Sequence, residues 1–501
     1  MKNILRKILF TNISNILLFF IIIGGNCMAE VKLISEKNVE YKDILCDQYN
    51  FQGFFKSEVS HEDFLEDCRN LIYLLETAYA GFNDMFLNGF NSDNFLKDCE
   101  NKFKNRESIS TSEISEYYYN YLAKYINDTH FFIDILDFSK NFVKSQCVFF
   151  SDLYLLEKNN NFFVYKTKDS DFLINAPVKI QKEFLFKYPS EGKNVYRVGK
   201  LADSSLKKVN ISFYLDMKKY EVNCTYRNSV AVQQNLEDLV KYKEIETKTT
   251  AYIGIRTFMD LPKELTSYKN KLDKYFLDFE NAGKKFRDKQ NLILDLRGNG
   301  GGHSSHPSKF LNALVSDTRI KNFDSFDNVF LMSPAIYQVI QKIEKTTYSE
   351  NDENIKLYEE LRKLYKKNKR IEFLSKEKNR RKKIKSKFNG NLIIITDKGT
   401  ASSSELAIAY AKELFEKSNH LILIGENTCG CFNYGNIFFY QLRNSGISIR
   451  LAQFKMENPP ITEGLGYFPD YWATNDDILK SLVSITGDEE LFEKLKNINE
   501  L

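Results

Sequence analysis

Apolar positions in the first 130 residues recur three and four apart. Phe64, Leu65, Cys68, Leu71, Ile72 and Leu75 fall on one face of a helix, and Ser60 with Asp63 forms a variant of the capping box at its start. The segment TSEISEYYYNYLAKYINDTHFF repeats the pattern through Ile114, Tyr117, Tyr118, Tyr121, Leu122 and Tyr125. Asn127 and Asp128 then end this helix before an apolar strand, which places His130 at a helix-to-strand corner. From residue 141 the rhythm changes: short apolar runs (CVFF, NFFVYK, NVYRV, KVNISFYL) are separated by Asn, Ser, Asp and Gly, the pattern of a small β-rich domain. From YIGIRTF onward it changes again. NLILDL, GNLIIITD and HLILIGE are continuous in apolar residues and alternate with helical patterns, as expected for strands covered on both faces in an α/β layered domain.

One stretch interrupts that alternation. Ile355, Tyr358, Leu361, Leu364 and Tyr365 make a helical stripe, followed by the basic run Arg380, Arg381, Lys382 and Lys383. It reads as a helical insertion at 345–388 with a solvated charged face; docking on an acidic partner or an anionic lipid surface is the alternative. At the other end, Lys2, Arg6 and Lys7 precede the apolar run ILLFFIII and small residues up to Ala29, the layout of a secretory signal cleaved before Glu30. The apolar run is short for a bilayer span. Acylation of Cys27 is a competing reading, against which Asn26 stands just before the cysteine. The expected location is therefore secreted, periplasmic or cell-envelope, with membrane association only through an uncleaved leader or a lipid anchor. The expected organisation is a leader (1–29), a helical domain (30–140), a β-rich domain (141–250), a catalytic-type α/β domain (251–480) carrying the insertion, and a C-terminal helix or tail (481–501).

Composition narrows the function classes. At 501 residues, 43% hydrophobic and 14% aromatic, the chain holds enough apolar surface for roughly three domains. Its 71 basic and 67 acidic residues leave a formal charge of +4, too small an excess for a nucleic-acid partner. Of eight cysteines, Cys27 leaves with the leader; the odd remainder holds no C-x-x-C pair, so neither a disulfide framework nor a zinc site is expected.

Two segments carry candidate chemistry. GTASSSELAIAYAKEL, residues 399–414, sets three serines in a turn before a helix, where backbone N–H groups and the helix dipole favour negative charge. Serine and threonine before glutamate also make ordinary helix caps. LILDLRGNGGG, residues 292–302, is a buried strand ending in a glycine turn that lets the backbone approach a substrate closely; it lacks the spacing of a phosphate cradle.

These two segments, with LILIGENT, EGLGYFPD and, upstream, AYIGIRTF and LAKYINDTHFFI, resemble in order and spacing the S41 peptidases: the tail-specific or C-terminal processing proteases and their tricorn-like relatives. The resemblance implies a crotonase/ClpP-like α/β catalytic domain behind a helical domain, with residues 141–250 where relatives hold a PDZ-like module. It aligns Ser402 with the nucleophile, and Ser403 and Gly300 or Gly301 with the oxyanion donors. The Ser/Lys branch carries a lysine in the turn after the GE strand; here that turn reads GENTCGCFNYGN and has none. The tricorn-like branch uses a histidine and a glutamate, matched here by His130 and Glu463, with Thr129 as a supporting residue. A histidine poised near neutrality and a carboxylate behind it form a coherent base for Ser402.

The implied activity is serine endopeptidase action on unfolded or extended polypeptides, without a cofactor. A catalytically inactive scaffold binding a peptide or small apolar ligand, and a crotonase-like acyl-thioester enzyme, are the competing readings. His303 and His306 in GGHSSH form a weak metal pair, since no carboxylate accompanies them in sequence. Cys429 and Cys431 read either as pocket lining or as a redox-sensitive pair.

Overall fold

The computed structural model describes residues 55–496 apart from 135–141, 170–171, 216, 227–235, 262–264, 319–327, 334, 340–362, 364–371, 376–385 and 416–419. The leader at 1–29, nearly all of the 345–388 insertion and the last five residues lie outside the described residues. Among the described residues no helix is long and apolar enough to cross a membrane.

Ser60 Oγ accepts the Asp63 N–H at 3.1 Å and opens the helix His61–Ala78, so the cap anticipated from sequence forms. Ser110 caps Thr111–Leu122 in the same way. That helix ends five residues before Asn127. Tyr125 and Ile126 both turn their N–H groups to the Leu122 carbonyl, Ile126 enters the core, and residues 127–131 are released as a loop. These helices bury Phe64, Leu71 and Tyr118 against Met332, Ile449 and Leu451 of a second sheet. That sheet has the order Glu372–Ser375, Asn328–Met332, Ser448–Met456, Tyr434–Gln441. The short strand Phe132–Asp134 pairs with Ser448–Met456, Phe132 opposite Arg450, and fixes the loop that carries His130.

Strands between Gln146 and Thr225 form one antiparallel sheet of seven. Its edge strand Lys218–Thr225 turns back onto the strand Gln146–Lys158, where Thr225 pairs with Phe150, and Phe149, Leu155, Ile211 and Phe213 fill its interior. Trp472, packed on Phe150 and Phe186, joins it to a sheet of six strands. The strand Tyr242–Glu246 already belongs to that sheet, antiparallel to Thr250–Ile255.

The remaining strands of the six-stranded sheet, Thr250–Ile255, Asn291–Asp295, Asn391–Thr396, Leu421–Gly425 and Tyr471–Trp472, run parallel. The first two are buried at every position. The helices Thr266–Lys285, Ser305–Val315 and Ser403–Phe415 cover one face, and Ile478–Thr486 and Glu489–Lys496 the other. This is the coverage that continuous apolar runs require. The protein is thus a multidomain chain whose centre is an α/β layered domain. The strands end in register, Asp295 beside Ile395 and Thr396 beside Gly425. Three loops therefore leave the same edge together.

Two of the covering helices touch at a glycine. A Cβ on Gly283 would lie 2.3 Å from the Phe310 carbonyl oxygen and 3.0 Å from the Leu314 nitrogen, both backbone atoms that cannot swing aside. Alanine gains about 1 kcal/mol over glycine in an exposed helix, but overpacking a fixed contact costs about 1–3 kcal/mol or more. Gly283→Ala is expected to lower the urea midpoint with an unchanged m value. An unchanged or raised midpoint would show that the two helices separate without cost.

Candidate active site

The loop after Asn291–Asp295 is held down from two sides. Asp295 lies between Arg297 and Arg256 and accepts the Tyr252 hydroxyl at 2.6 Å. The two arginines keep its carboxyl far below the usual range despite full burial. Asp397, at the start of the next loop, accepts the Gly298 N–H at 2.9 Å, and the Ala401 N–H reaches the Asn299 carbonyl at 3.0 Å. The glycine turn and the serine turn are thereby laced together. At Gly301, φ is +95° and a Cβ would sit 2.8 Å from Ser402 Cβ and 2.9 Å from the Ser403 nitrogen. Only glycine allows so close an approach in that conformation.

Ser402 stands apart from its neighbours. Its φ is +54°, a left-handed conformation uncommon outside glycine, and the helix begins after it, at Ser403. Ser403 and Ser404 are buried. Ser402 Oγ lies 3.3 Å from His130 Nε2, a contact between residues 272 positions apart in sequence. The elements that supply the pair belong to different layers, and Arg450, on the strand Ser448–Met456, holds the His130 loop by donating from Nε to the His130 carbonyl at 2.8 Å.

Behind His130 stand two carboxylates. Glu463 Oε1 accepts the Thr129 N–H at 3.0 Å and the Thr129 hydroxyl at 2.5 Å, while Oε2 accepts the Asn433 N–H at 3.2 Å. Sequence reasoning placed Glu463 and Thr129 here but treated Asp128 only as a helix stop. Asp128 is fully buried; its Oδ1 accepts the His130 N–H at 2.7 Å and lies 3.9 Å from His130 Nδ1. Burial and the neighbouring Glu463 push the Asp128 carboxyl up to about 8, and burial raises Glu463 as well. Burial, then the Arg450 charge, pulls the imidazole down to about 3, so His130 is neutral and able to accept a proton. The sequence signal for Asp128 is its spacing, two residues before the histidine on a chain that must double back. No residue type announced it.

Two backbone donors near Ser402 remain uncommitted. The Gly301 N–H is taken by Asn299 Oδ1 at 3.0 Å, whereas the N–H groups of Gly300 and Ser403 make no hydrogen bond among the described residues. Opposite them runs the turn CGC. The Ser402 N–H points to the Cys431 carbonyl at 3.0 Å and to Glu405 Oε2 at 3.1 Å. Burial pushes the Cys429 thiol up to about 12 and raises Cys431 strongly too, so both are un-ionised free thiols, as pocket lining requires. His303 and His306 go to different acids, Asp260 at 3.4 Å and Glu280 at 3.0 Å. His420 faces Asn391 at 3.3 Å.

Two further residues escaped the sequence reading. Lys398 is buried and directs Nζ at the carbonyls of Thr428, Cys429 and Gly464, at 2.7, 3.2 and 3.2 Å. It fastens the CGC turn to the turn that carries Glu463. Glu405 is fully buried and accepts four hydrogen bonds, from the Thr428 hydroxyl and from the N–H groups of Gly430, Cys431 and Ser402. Beside Glu463 opens a cleft of about 1060 Å³ lined by Asn433, Ile461, Leu465, Tyr467 and Phe468.

Burial outweighs the four donors and raises the Glu405 carboxyl to about 7. A carboxyl raised in the fold holds stability that is complete below its unfolded value, about 4.3, and is lost as pH rises through about 7. The unfolding temperature is therefore expected to fall between about pH 5 and pH 8. Glu405→Gln, uncharged and isosteric with the protonated acid, should flatten that decline. A wild-type stability that instead rises across this window would mean that the four donors keep Glu405 ionised throughout.

Residues 249–471 match the family model described as Peptidase family S41. No curated protein matches the chain in sequence. Among solved structures, mature CPAF is 11% identical over 88% of this chain and 99% of its own, with a TM-score of 0.43. The photosystem II D1 C-terminal processing protease is 12% identical over 86% and 97%, with a TM-score of 0.34. The tricorn protease is 16% identical over 87% of this chain and 37% of its own, with a TM-score of 0.31. Ser402, the glycine turn and Glu463 all fall inside the matched segment, and His130 comes to them from outside it. Through residues 249–471 the chain is similar to peptidase family S41.

Proposed function

We propose that the protein is a serine endopeptidase that cleaves unfolded or extended polypeptides through an acyl-enzyme on Ser402. The observation that carries the reading is the 3.3 Å approach of Ser402 Oγ to His130 Nε2. His130 takes the Ser402 proton as Oγ attacks the scissile carbonyl carbon, then gives it to the leaving amine; water hydrolyses the ester by the reverse path. The N–H groups of Gly300 and Ser403, uncommitted among the described residues, meet the developing oxyanion, with the positive end of the 403–415 helix behind them.

Glu463 supports the base through Thr129, whose amide and hydroxyl it holds. The 3.9 Å between Asp128 Oδ1 and His130 Nδ1 suits a bridging water, or closure when substrate excludes solvent. The open cleft beside Glu463 admits an extended chain more readily than a folded one. Delivery to a secreted, periplasmic or cell-envelope location by the 1–29 leader completes the proposal.

Intact-mass analysis of the full chain after a fluorophosphonate probe tests it. One adduct is expected on the wild type, none on Ser402→Ala, and labelling about 10²–10⁴-fold slower on His130→Ala, with casein cleavage following the same order. An adduct that survives Ser402→Ala would move the nucleophile elsewhere. No adduct and no cleavage from mildly acidic to mildly basic pH would favour an inactive scaffold that binds its ligand in the same cleft.

A further inference from the structure

Asp128, His130 and Glu463 offer ligand atoms that all lie within 4.8 Å of one another. Among the described residues no other group of His, Cys, Asp and Glu side chains has such spacing. Two atoms of this cluster are buried without a hydrogen-bond partner: His130 Nδ1 and Asp128 Oδ2. The Tyr79 hydroxyl faces the same aspartate without completing a hydrogen bond to Oδ2. Buried polar atoms left open in this way call for an occupant. Two carboxyls in such proximity, both out of water, are relieved by a proton or by a cation placed between them. Arg450 is the cation facing the cluster, and its Nε is spent on the His130 carbonyl.

We propose that Asp128, His130 Nδ1 and Glu463 bind one divalent transition ion of the Zn²⁺ type, and that this ion switches the peptidase off. The inference rests on the reading of His130 as the base of Ser402. One imidazole nitrogen and two carboxylates, with a fourth position left open, suit Zn²⁺; Ca²⁺ and Mg²⁺ need six or more oxygen ligands. Bonds of about 2.0–2.2 Å set ligand atoms roughly 3.5 Å apart, so the 3.9 Å between Asp128 Oδ1 and His130 Nδ1 closes with a small side-chain shift.

The consequence for catalysis follows from the tautomer. A metal on Nδ1 takes that nitrogen's lone pair, and the ring proton resides on Nε2. His130 then donates to Ser402 Oγ and cannot accept its proton. The free enzyme, with Nδ1–H and an open Nε2, is the active form, and removing the ion restores it. Any proton held by the two carboxylates leaves to solvent as the ion enters.

The test is calorimetric titration of ZnCl₂ into the full chain, stripped with EDTA and carrying Ser402→Ala to prevent self-cleavage. One ion per chain is expected, with affinity reduced at least about 10-fold by Asp128→Asn and by Glu463→Gln, and no heat from MgCl₂. Should either variant fold poorly, Co²⁺ added to the chain with Asp128, His130 and Glu463 intact should give the visible bands of a four-coordinate N/O site. Wild-type labelling by the fluorophosphonate should stop at one equivalent of Zn²⁺ and return with EDTA. Binding that ignores both substitutions, or no binding and no Co²⁺ bands, would overturn the proposal. Because binding is read without Ser402, the two readings fail separately. Labelling without metal binding sinks only the metal site, and metal binding without labelling of the EDTA-treated wild type sinks the peptidase and with it the switch, leaving the metal site.

Discussion

The Glu405 carboxylate holds the serine turn in the shape everything else uses. A carboxylate buried at the start of a helix is favoured by the helix dipole, yet it must still replace its lost hydration. Four donors offset part of that loss: the hydroxyl of Thr428 and the amides of Gly430, Cys431 and Ser402. Because three of the four come from the loop after Leu421–Gly425, satisfying Glu405 also draws that loop against Ser402. The left-handed Ser402, a conformation that costs roughly 1–2 kcal/mol, is held by the same bonds. Its amide has partners only in that shape.

From the other side Lys398 performs the complementary task. Its ammonium collects carbonyls of both the 428–431 and 463–466 turns, and burial lowers its pKa. Glu405 gathers amides of the CGC turn and Lys398 gathers its carbonyls. The backbone between them is thus pinned by a buried acid and a buried lysine rather than by regular secondary structure. Glu463 hangs from the second turn, so the position of the supporting carboxylate depends on a lysine that stands four residues before the serine and is spent on carbonyls.

The parts of this arrangement that were legible in the sequence are those with a local pattern. The buried strands Asn291–Asp295, Asn391–Thr396 and Leu421–Gly425 follow from continuous apolar runs, and the Ser60 cap from four residues. Ser402, His130 and Glu463 could be singled out because motif order tied distant segments together. Asp128, Glu405 and Lys398 could not. Each is an ordinary residue in its local setting: a helix stop, a helix-start acid, a turn lysine. Their roles arise from burial beside chain more than twenty residues away, which no window of sequence displays. The end of the Thr111–Leu122 helix was misplaced for the same reason, since the burial of Ile126 and the hydrogen bond from the His130 amide to Asp128 outweigh helix propensity there.

The chemistry of His130 reflects the same dependence on distant charges. Burial and Arg450 disfavour the imidazolium, which keeps the free side chain a base but would strand the proton it takes from Ser402. Asp128 and Glu463 offset that cost only when at least one of them is ionised, and the Glu463 charge makes ionising Asp128 harder. Two carboxylates serving one histidine therefore form a site that is never comfortable with both charges present and no cation between them. In the reaction proposed for this site the cation is the imidazolium itself, formed as the oxyanion forms, so stabilisation would be strongest in the transition state, where it accelerates the chemical step.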